Sequence, residues 1–424
     1  MKKYSVFIEI RGKQVKVGEI EGDTSEDARF KYAGEYISGD GSKAISISLP
    51  LQKEAFSPER TRIFFDGLLP EGFMRTSIAG NMHFDENDYL SILYNLGKEC
   101  IGAIRIDETN EEPESGYEAI GSKQVEELAA NGATKSTELL IKTHLSLTGA
   151  SGKAGLYFDE KDGRWYLPHG LAPSTHIVKQ SHIRLNGIVT NEQLSTLAAR
   201  KCGIDTPESF IVNVGKGEDS DVLFVTKRYD RIIDETSGRI DGLKRPFRIH
   251  QEDFAQAMGI ASSQKYESDG QDYAVKMFDI IRNNSMNPLD DQLSLWNRIV
   301  FNYALGNTDA HIKNYSLLYD PHLEGLRLAP AYDMISTVIY DSSTRDMSFN
   351  IGGMRNIDSI NEENFRSLAK RVGIGEKLAM NCCQNVFDRF ENAIREAGKE
   401  LQENGLYNAG DIAERILRAR KEIL

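Results

Sequence analysis

The stretch 287-NPLDDQLSLWNRIVFNYALGNTDAHIKNYSLLYDPHLEGLRLAPAYD-333 decides the fold. It opens as a helix. Asn287 is a good N-cap, Pro288 suits the first helical position, and Asp290 and Asp291 sit where the helix dipole favours acid. Leu289, Leu293, Trp296, Val300 and Tyr303 recur at intervals of 4, 3, 4 and 3, which predicts one buried face. Gly306 stops the helix. Residues 307–314 are polar and turn-like, 315–319 read as a short strand, 320–325 turn the chain, and 326–328 return it before 330–333 leave the hairpin.

A hairpin brings its open ends together, because paired strands lie about 4.8 Å apart. Asp309 and Asn314 precede its first strand and Asp333 follows its second, so one loop region gathers two carboxylates and an amide oxygen. That set suits a hard cation such as Mg²⁺, which takes oxygen ligands and bridges to substrate phosphates. The Asp-x4-Asn spacing also matches a kinase catalytic loop, in which the Asp accepts a hydroxyl proton and the Asn and a later Asp hold metal. Spacing of this kind recurs in any long chain, so phosphoryl transfer and an ordinary polar loop both stay open here.

Upstream, phosphoryl transfer needs a cation on the nucleotide phosphates and a small-residue loop over them. Lys179 ends the apolar stretch 175–179; a strand lysine is more often a solvated edge charge, but this one lies in a β-rich region. The loop candidate is 146-SLTGASGKAG-155, where small residues let backbone N–H groups approach phosphate oxygens. It is not a Walker A motif, since two residues separate Gly149 from Gly152 and no Ser or Thr follows Lys153, and a plain structural turn is its rival reading.

Further outward, Tyr4, Val6, Ile8 and Ile10 alternate, Gly12 and Lys13 turn, and Val15 and Val17 resume, which predicts a strand–turn–strand start to a small β-rich unit. Residues 107–115, DETNEEPES, have no apolar period and read as a solvated linker. Short β-rich stretches follow between about 139 and 231, with a helix at 191–201, and helical patterns dominate from Glu252 onward. The expected organisation is an α+β, bilobal architecture, which the family resemblance given below implies to be protein-kinase-like. It comprises a β-rich N-terminal subdomain at 1–107, an acidic linker at 108–118, a β-rich lobe at 119–231 and a helical lobe at 232–424.

The 424 residues carry 51 Lys+Arg and 64 Asp+Glu, a net charge of −13, with 40% hydrophobic and 27% charged residues. Such a balance fits globular domains and excludes disordered, collagen-like and disulfide-rich classes. A −13 chain is also repelled by naked nucleic acid and anionic membranes. Cys100, Cys202, Cys382 and Cys383 form no CxxC and read as reduced thiols. Neither a signal-peptide core nor an apolar run of membrane-spanning length is visible, so a cytoplasmic protein without membrane contact is expected.

Several phrases together resemble the HipA family of bacterial toxin serine/threonine kinases, over nearly the whole chain. In order they are 64-FFDGLLPE-71, 100-CIGAI-104, 175-THIVK-179, 228-RYDR-231, 251-QED-253, 265-KYESDG-270, 307-NTD-309 with His311, Lys313 and Asn314, and 332-YD-333. The resemblance implies a kinase-like, lipid-kinase-related fold with an added N-terminal β subdomain. It implies Asp309 as catalytic base, Asn314 and Asp333 as Mg²⁺ ligands, and Lys179 on the ATP phosphates. It places Thr148, Gly149, Ala150, Ser151, Gly152 and Lys153 over those phosphates, the backbone of Lys227, Arg228 and Tyr229 against adenine, and His311, Ile312, Lys313, Asn314 and Tyr332 along the site. Ser146 matches the family's autophosphorylated serine, whose phosphate would sit badly beside ATP. The family usually has Gln where Ser151 stands, followed by a variable residue where Gly152 stands.

The activity so implied is a protein serine/threonine kinase toxin using ATP and Mg²⁺. Its partner would be a small helix-turn-helix antitoxin of the HipB kind, which alone touches operator DNA. Its substrate would be a cellular protein, in the best-studied members an aminoacyl-tRNA synthetase, with persistence as the outcome. A kinase-fold transcriptional co-regulator with little transfer activity is the alternative, and a small-molecule or lipid kinase is a third.

Overall fold

The computed structural model describes residues 2–107, 114–143, 147, 152–181 and 185–421. The fold is α+β, and the chain forms two compact units. The first comprises Met1–Gln180, Val225–Ser262 and Leu318–Gly325; the second comprises Ser181–Phe224, Ser263–Leu317 and Leu326–Leu424. Compactness therefore draws its lines elsewhere than a cut at 231. The helix Ile188–Lys201 goes with the helical unit, and residues 225–262 go with the β-rich one.

In the first unit, an antiparallel sheet runs in the order Arg29–Tyr32, Lys13–Gly22, Lys2–Ile10, Ile104–Asp107. The alternation expected along the first strand fails from Tyr4 to Glu9, where every residue is buried. The reason is that both sheet faces are covered. Ile8 is buried on one face; on the other, which Phe7 and Glu9 share, Phe7 lies under the Arg105 guanidinium and Glu9 is buried against Arg245 and Arg248. Those two cations hold the Glu9 carboxyl down at about 2 despite its burial.

A second sheet in this unit is ordered Gly116–Ile120, Arg164–His169, Lys153–Asp159, His176–Gln180, continued by the last residues of Val222–Lys227. The acidic linker is thus shorter than 108–118, because its last residues already belong to the edge strand Gly116–Ile120. The helix Gly132–Thr143 also continues into a stretch read as β-rich, with Ser136, Thr137 and Leu140 on its buried side.

The second unit is built on the helices Ile188–Lys201, Tyr273–Asn284, Pro288–Leu305, Glu362–Val372, Glu376–Glu403 and Ala409–Arg420. Its core is aromatic: Tyr303 meets Phe365 edge-on and Phe301 meets Phe390, while the Trp296 indole N–H donates to the Ala379 carbonyl. The helix Pro288–Leu305 starts and stops as read from the sequence, but Leu289 is 66% exposed. Burial begins at Leu295, where the neighbouring helices Tyr273–Asn284 and Glu376–Glu403 enclose it, and the first turn stands clear of them. Among the described residues, no helix is long and apolar enough to cross a membrane, and all four cysteines are free thiols.

Candidate functional site

The loop that follows Pro288–Leu305 is fixed at its root. Gly306 takes φ +73°, and a Cβ there would collide with Val338, so only glycine makes this turn. The last helical carbonyls do not go unmet: the buried Arg420 guanidinium donates to Tyr303 at 2.7 Å and to Ala304 at 3.1 Å. The Gly306 carbonyl accepts from the Thr337 and Val338 N–H groups, both 3.0–3.1 Å away. The Thr337 hydroxyl meets both the Thr308 N–H, at 2.8 Å, and the Thr308 hydroxyl, at 2.7 Å.

Asn307 then organises the turn. Its Nδ2 donates to Asn302 Oδ1 at 3.0 Å and to the Asp333 carbonyl at 3.4 Å, while its Oδ1 accepts from the Asp309 N–H at 3.2 Å. Asn302 in turn donates to the Tyr315 hydroxyl, which is buried and pushed up to about 12 by that burial. The outcome is an exposed Asp309 on a rigid, buried base.

Asn314 closes the loop by donating its Nδ2 to the Asp309 carbonyl at 3.0 Å. With its amide nitrogen engaged, Oδ1 is the Asn314 atom left for a cation. Asp333 follows the second hairpin strand, with Tyr332 beside it; the Tyr332 hydroxyl donates to the Lys313 carbonyl at 2.9 Å and shares a hydrogen with Ser316 at 2.6 Å. The Asp333 backbone has φ +58°, a left-handed conformation uncommon outside glycine, imposed on the residue expected to bind metal. Asn191 pins the next segment, donating to the Ser336 carbonyl and accepting from its N–H.

The hairpin thus gathers Asp309, Asn314 and, through Asn307, the Asp333 main chain, while His311, Ile312 and Lys313 are buried in the turn beneath. Two carboxylates with one carboxamide form an all-oxygen donor set that fits Mg²⁺. Among the described residues, no group of three or more His, Cys, Asp or Glu gathers as a soft-metal site would require.

The other candidate residues lie in the first unit. Lys153 and Lys179 are direct cross-strand partners in an antiparallel pair, so their side chains leave one face of the sheet together. Two ammonium groups so placed suit a polyphosphate. Lys227 reaches Glu160 at 2.9 Å, and the Tyr229 hydroxyl donates to Gln251. Arg228 departs from its expected part: its N–H is committed to the Thr175 carbonyl at 2.9 Å, and its side chain is buried in an ion cluster with Glu99, Asp230 and Arg231. Gly152 is described; Thr148, Gly149, Ala150, Ser151 and Ser146 lie outside the described residues.

One site residue was missed. Tyr266 donates its hydroxyl to Asp309 Oδ1 at 2.6 Å and sets its ring edge-on to His311, 5.4 Å between centroids. The sequence held a signal, since Tyr266 lies in the phrase 265-KYESDG-270, but nothing in that phrase says which residue it faces.

Comparison with known proteins adds the following. The family model described as the HipA-like C-terminal domain matches residues 145–394, and that of the HipA N-terminal domain matches 8–107. A protein of Sinorhizobium fredii named "Putative kinase Y4mE" is 31% identical over 388 residues, covering 89% of this chain and 88% of its own length. The serine/threonine-protein kinase toxin HipA of Shewanella oneidensis is 24% identical over 407 residues, covering 92% of this chain and 89% of its own. A solved structure from Shewanella oneidensis, HipA with HipB and its operator DNA, superposes with a TM-score of 0.79 at 22% identity, over 99% of this chain and 97% of that one, and shares its fold. Both family models fall in order on one chain, with a full-length relative above 30% identity: the chain belongs to the HipA family.

Proposed function

We propose that this chain is an ATP- and Mg²⁺-dependent protein serine/threonine kinase acting in the cytoplasm as the toxin of a toxin–antitoxin pair. The observation that carries the reading is Asp309, an exposed carboxylate held on a buried, hydrogen-bonded turn whose Asn314 closes on the same residue. In this role Asp309 takes the proton of the acceptor hydroxyl as its oxygen attacks the γ-phosphorus of ATP and ADP leaves. Asn314 and Asp333 are assigned to Mg²⁺, which when bound offsets negative charge on the phosphates. Lys153 and Lys179 are assigned to the phosphate chain.

The partner proposed is a small helix-turn-helix antitoxin of HipB type, with operator DNA reached only through it. The Shewanella complex supports that pairing, and the charge of −13 suits indirect contact with DNA. The protein substrate, an aminoacyl-tRNA synthetase by analogy, and autophosphorylation at Ser146 belong to the same proposal.

Incubation with γ-labelled ATP and Mg²⁺ tests it. Label on Ser146 and on a lysate protein, and none with Asp309→Asn, is the expected result. Tight ATP–Mg²⁺ binding with no transfer to any protein would overturn the kinase assignment in favour of a regulator.

A further inference from the structure

We infer that Tyr266 is a positioning residue for the base Asp309, an inference that rests on the kinase reading above. The hydroxyl-to-carboxylate bond of 2.6 Å joins two side chains that are both exposed, Tyr266 at 45%. Exposed pairs are usually loose. This one is not, because the backbones on either side of it hang from the same strand.

Glu267, the residue after Tyr266, donates its N–H to the Ser348 carbonyl at 2.8 Å. Its own carbonyl accepts from Arg355 at 2.7 Å. Its buried carboxylate accepts from the Tyr273 N–H at 2.9 Å and from the backbone and side-chain amides of Asn350. Ser348 then turns to the other partner: its hydroxyl donates to the carbonyl of Thr308, the residue before Asp309, at 2.7 Å. The strand Asp346–Ile351 therefore registers Tyr266 and Asp309 against one another across 43 residues of sequence.

The physical consequence concerns a torsion. The terminal torsion of an aspartate is broad, so an exposed carboxylate samples many planes. A short, charge-assisted bond to one oxygen narrows that sampling and fixes the plane in which the carboxylate meets an acceptor hydroxyl. The His311 ring stands nearly perpendicular to the phenol, 5.4 Å between centroids, and packs beside it.

Tyr266→Phe is the test, since it removes the hydroxyl and keeps the ring against His311. The assay is single-turnover labelling of the full-length protein by γ-labelled ATP with Mg²⁺, over a range of ATP concentrations, beside thermal unfolding. The expected result is a labelling rate at saturating ATP lower by on the order of tenfold, as misplacement of a reacting group produces. The half-saturating ATP concentration and the unfolding midpoint should not move. Labelling as fast as wild type overturns the inference, and faster labelling does so by showing that the hydroxyl obstructs the acceptor's place. A slower rate accompanied by a lower unfolding midpoint or weaker ATP binding also overturns it, since the role would then be structural. If wild type itself takes no label, the kinase reading fails and the inference with it; a labelled wild type with an unimpaired Phe variant sinks the inference alone.

Discussion

Replacing Glu252 with Gln is expected to alter the pH dependence of stability more than stability at any single pH. Glu252 is 1% exposed and accepts hydrogen bonds from the Ser46 hydroxyl, the Ile47 N–H and the Tyr319 hydroxyl. Burial outweighs these three donors and pushes the carboxyl up from 4.5 to about 7. The unfolded chain thus loses this proton near pH 4.5 while the folded one keeps it until about 7, so stability is full below 4.5 and is lost as pH rises through 7. At 1.36 kcal/mol per pKa unit the loss is roughly 3 kcal/mol. Gln cannot ionise, so relative to wild type the variant should gain about 3 kcal/mol between pH 4.5 and 7.5. Nearby His250 acts in the opposite sense. Burial pulls its imidazole down from 6.5 to about 4, and its stability contribution is present above 6.5 and lost as pH falls through 4. The two slopes oppose one another between 4.5 and 6.5, and Glu252→Gln unmasks the histidine. Urea unfolding from pH 4.5 to 8 reads the effect, with Trp165 reporting on the first unit and Trp296 on the second. A difference between variant and wild type that stays constant with pH would refute the reasoning.

Two further substitutions probe other parts of the molecule. Asp230→Ala leaves the buried guanidiniums of Arg228 and Arg231 with Glu99 as their remaining carboxylate in the cluster, and removing one partner from such a set costs about 3–5 kcal/mol. A loss under about 1 kcal/mol in urea unfolding would show that water reaches the cluster. At Asp333, whose φ is +58°, glycine relieves the left-handed conformation and alanine does not, so Asp333→Ala should be less stable than Asp333→Gly by about 1 kcal/mol. Both variants should lose Mg²⁺-dependent ATP binding, measured by calorimetry with and without Mg²⁺; retained Mg²⁺ dependence would remove Asp333 from the ligand set.

What the sequence made legible follows from the range of each interaction. The helix Pro288–Leu305, its glycine stop, the turn and the hairpin are set by the N-terminal proline, periodicity and turn residues within a few positions, and they stand where expected, although the Asn287 side chain makes no capping bond. The alternation at Tyr4–Glu9 misled because its cause is remote: Glu9 is buried by arginines more than 230 positions away, which period-2 reasoning cannot see. Leu289 misled for the converse reason, since a helix face is buried only as far as its neighbours extend. The Lys153–Lys179 register depends on strand pairing between two segments that look independent in the sequence. Tyr266 reaches Asp309 only through a strand that begins at Asp346, so no local pattern could assign it.

The phrases that carried the family resemblance also change meaning once folded. Three of them, 100-CIGAI-104, 228-RYDR-231 and 251-QED-253, are one object. Asp230 accepts from the Gly102 N–H at 2.8 Å and from Gln251, Arg228 and Arg231 both donate to the Cys100 carbonyl, and Glu99 bridges the same two arginines. The phrase 64-FFDGLLPE-71 joins them through the Phe64 carbonyl, which accepts from Gln256 on the helix begun by Asp253. A buried charge cluster tolerates no partial substitution, because each lost partner strands an ion in a dry setting. Residues locked in this way hold their identities for reasons of solvation, so a family phrase can be a structural clamp as readily as a site.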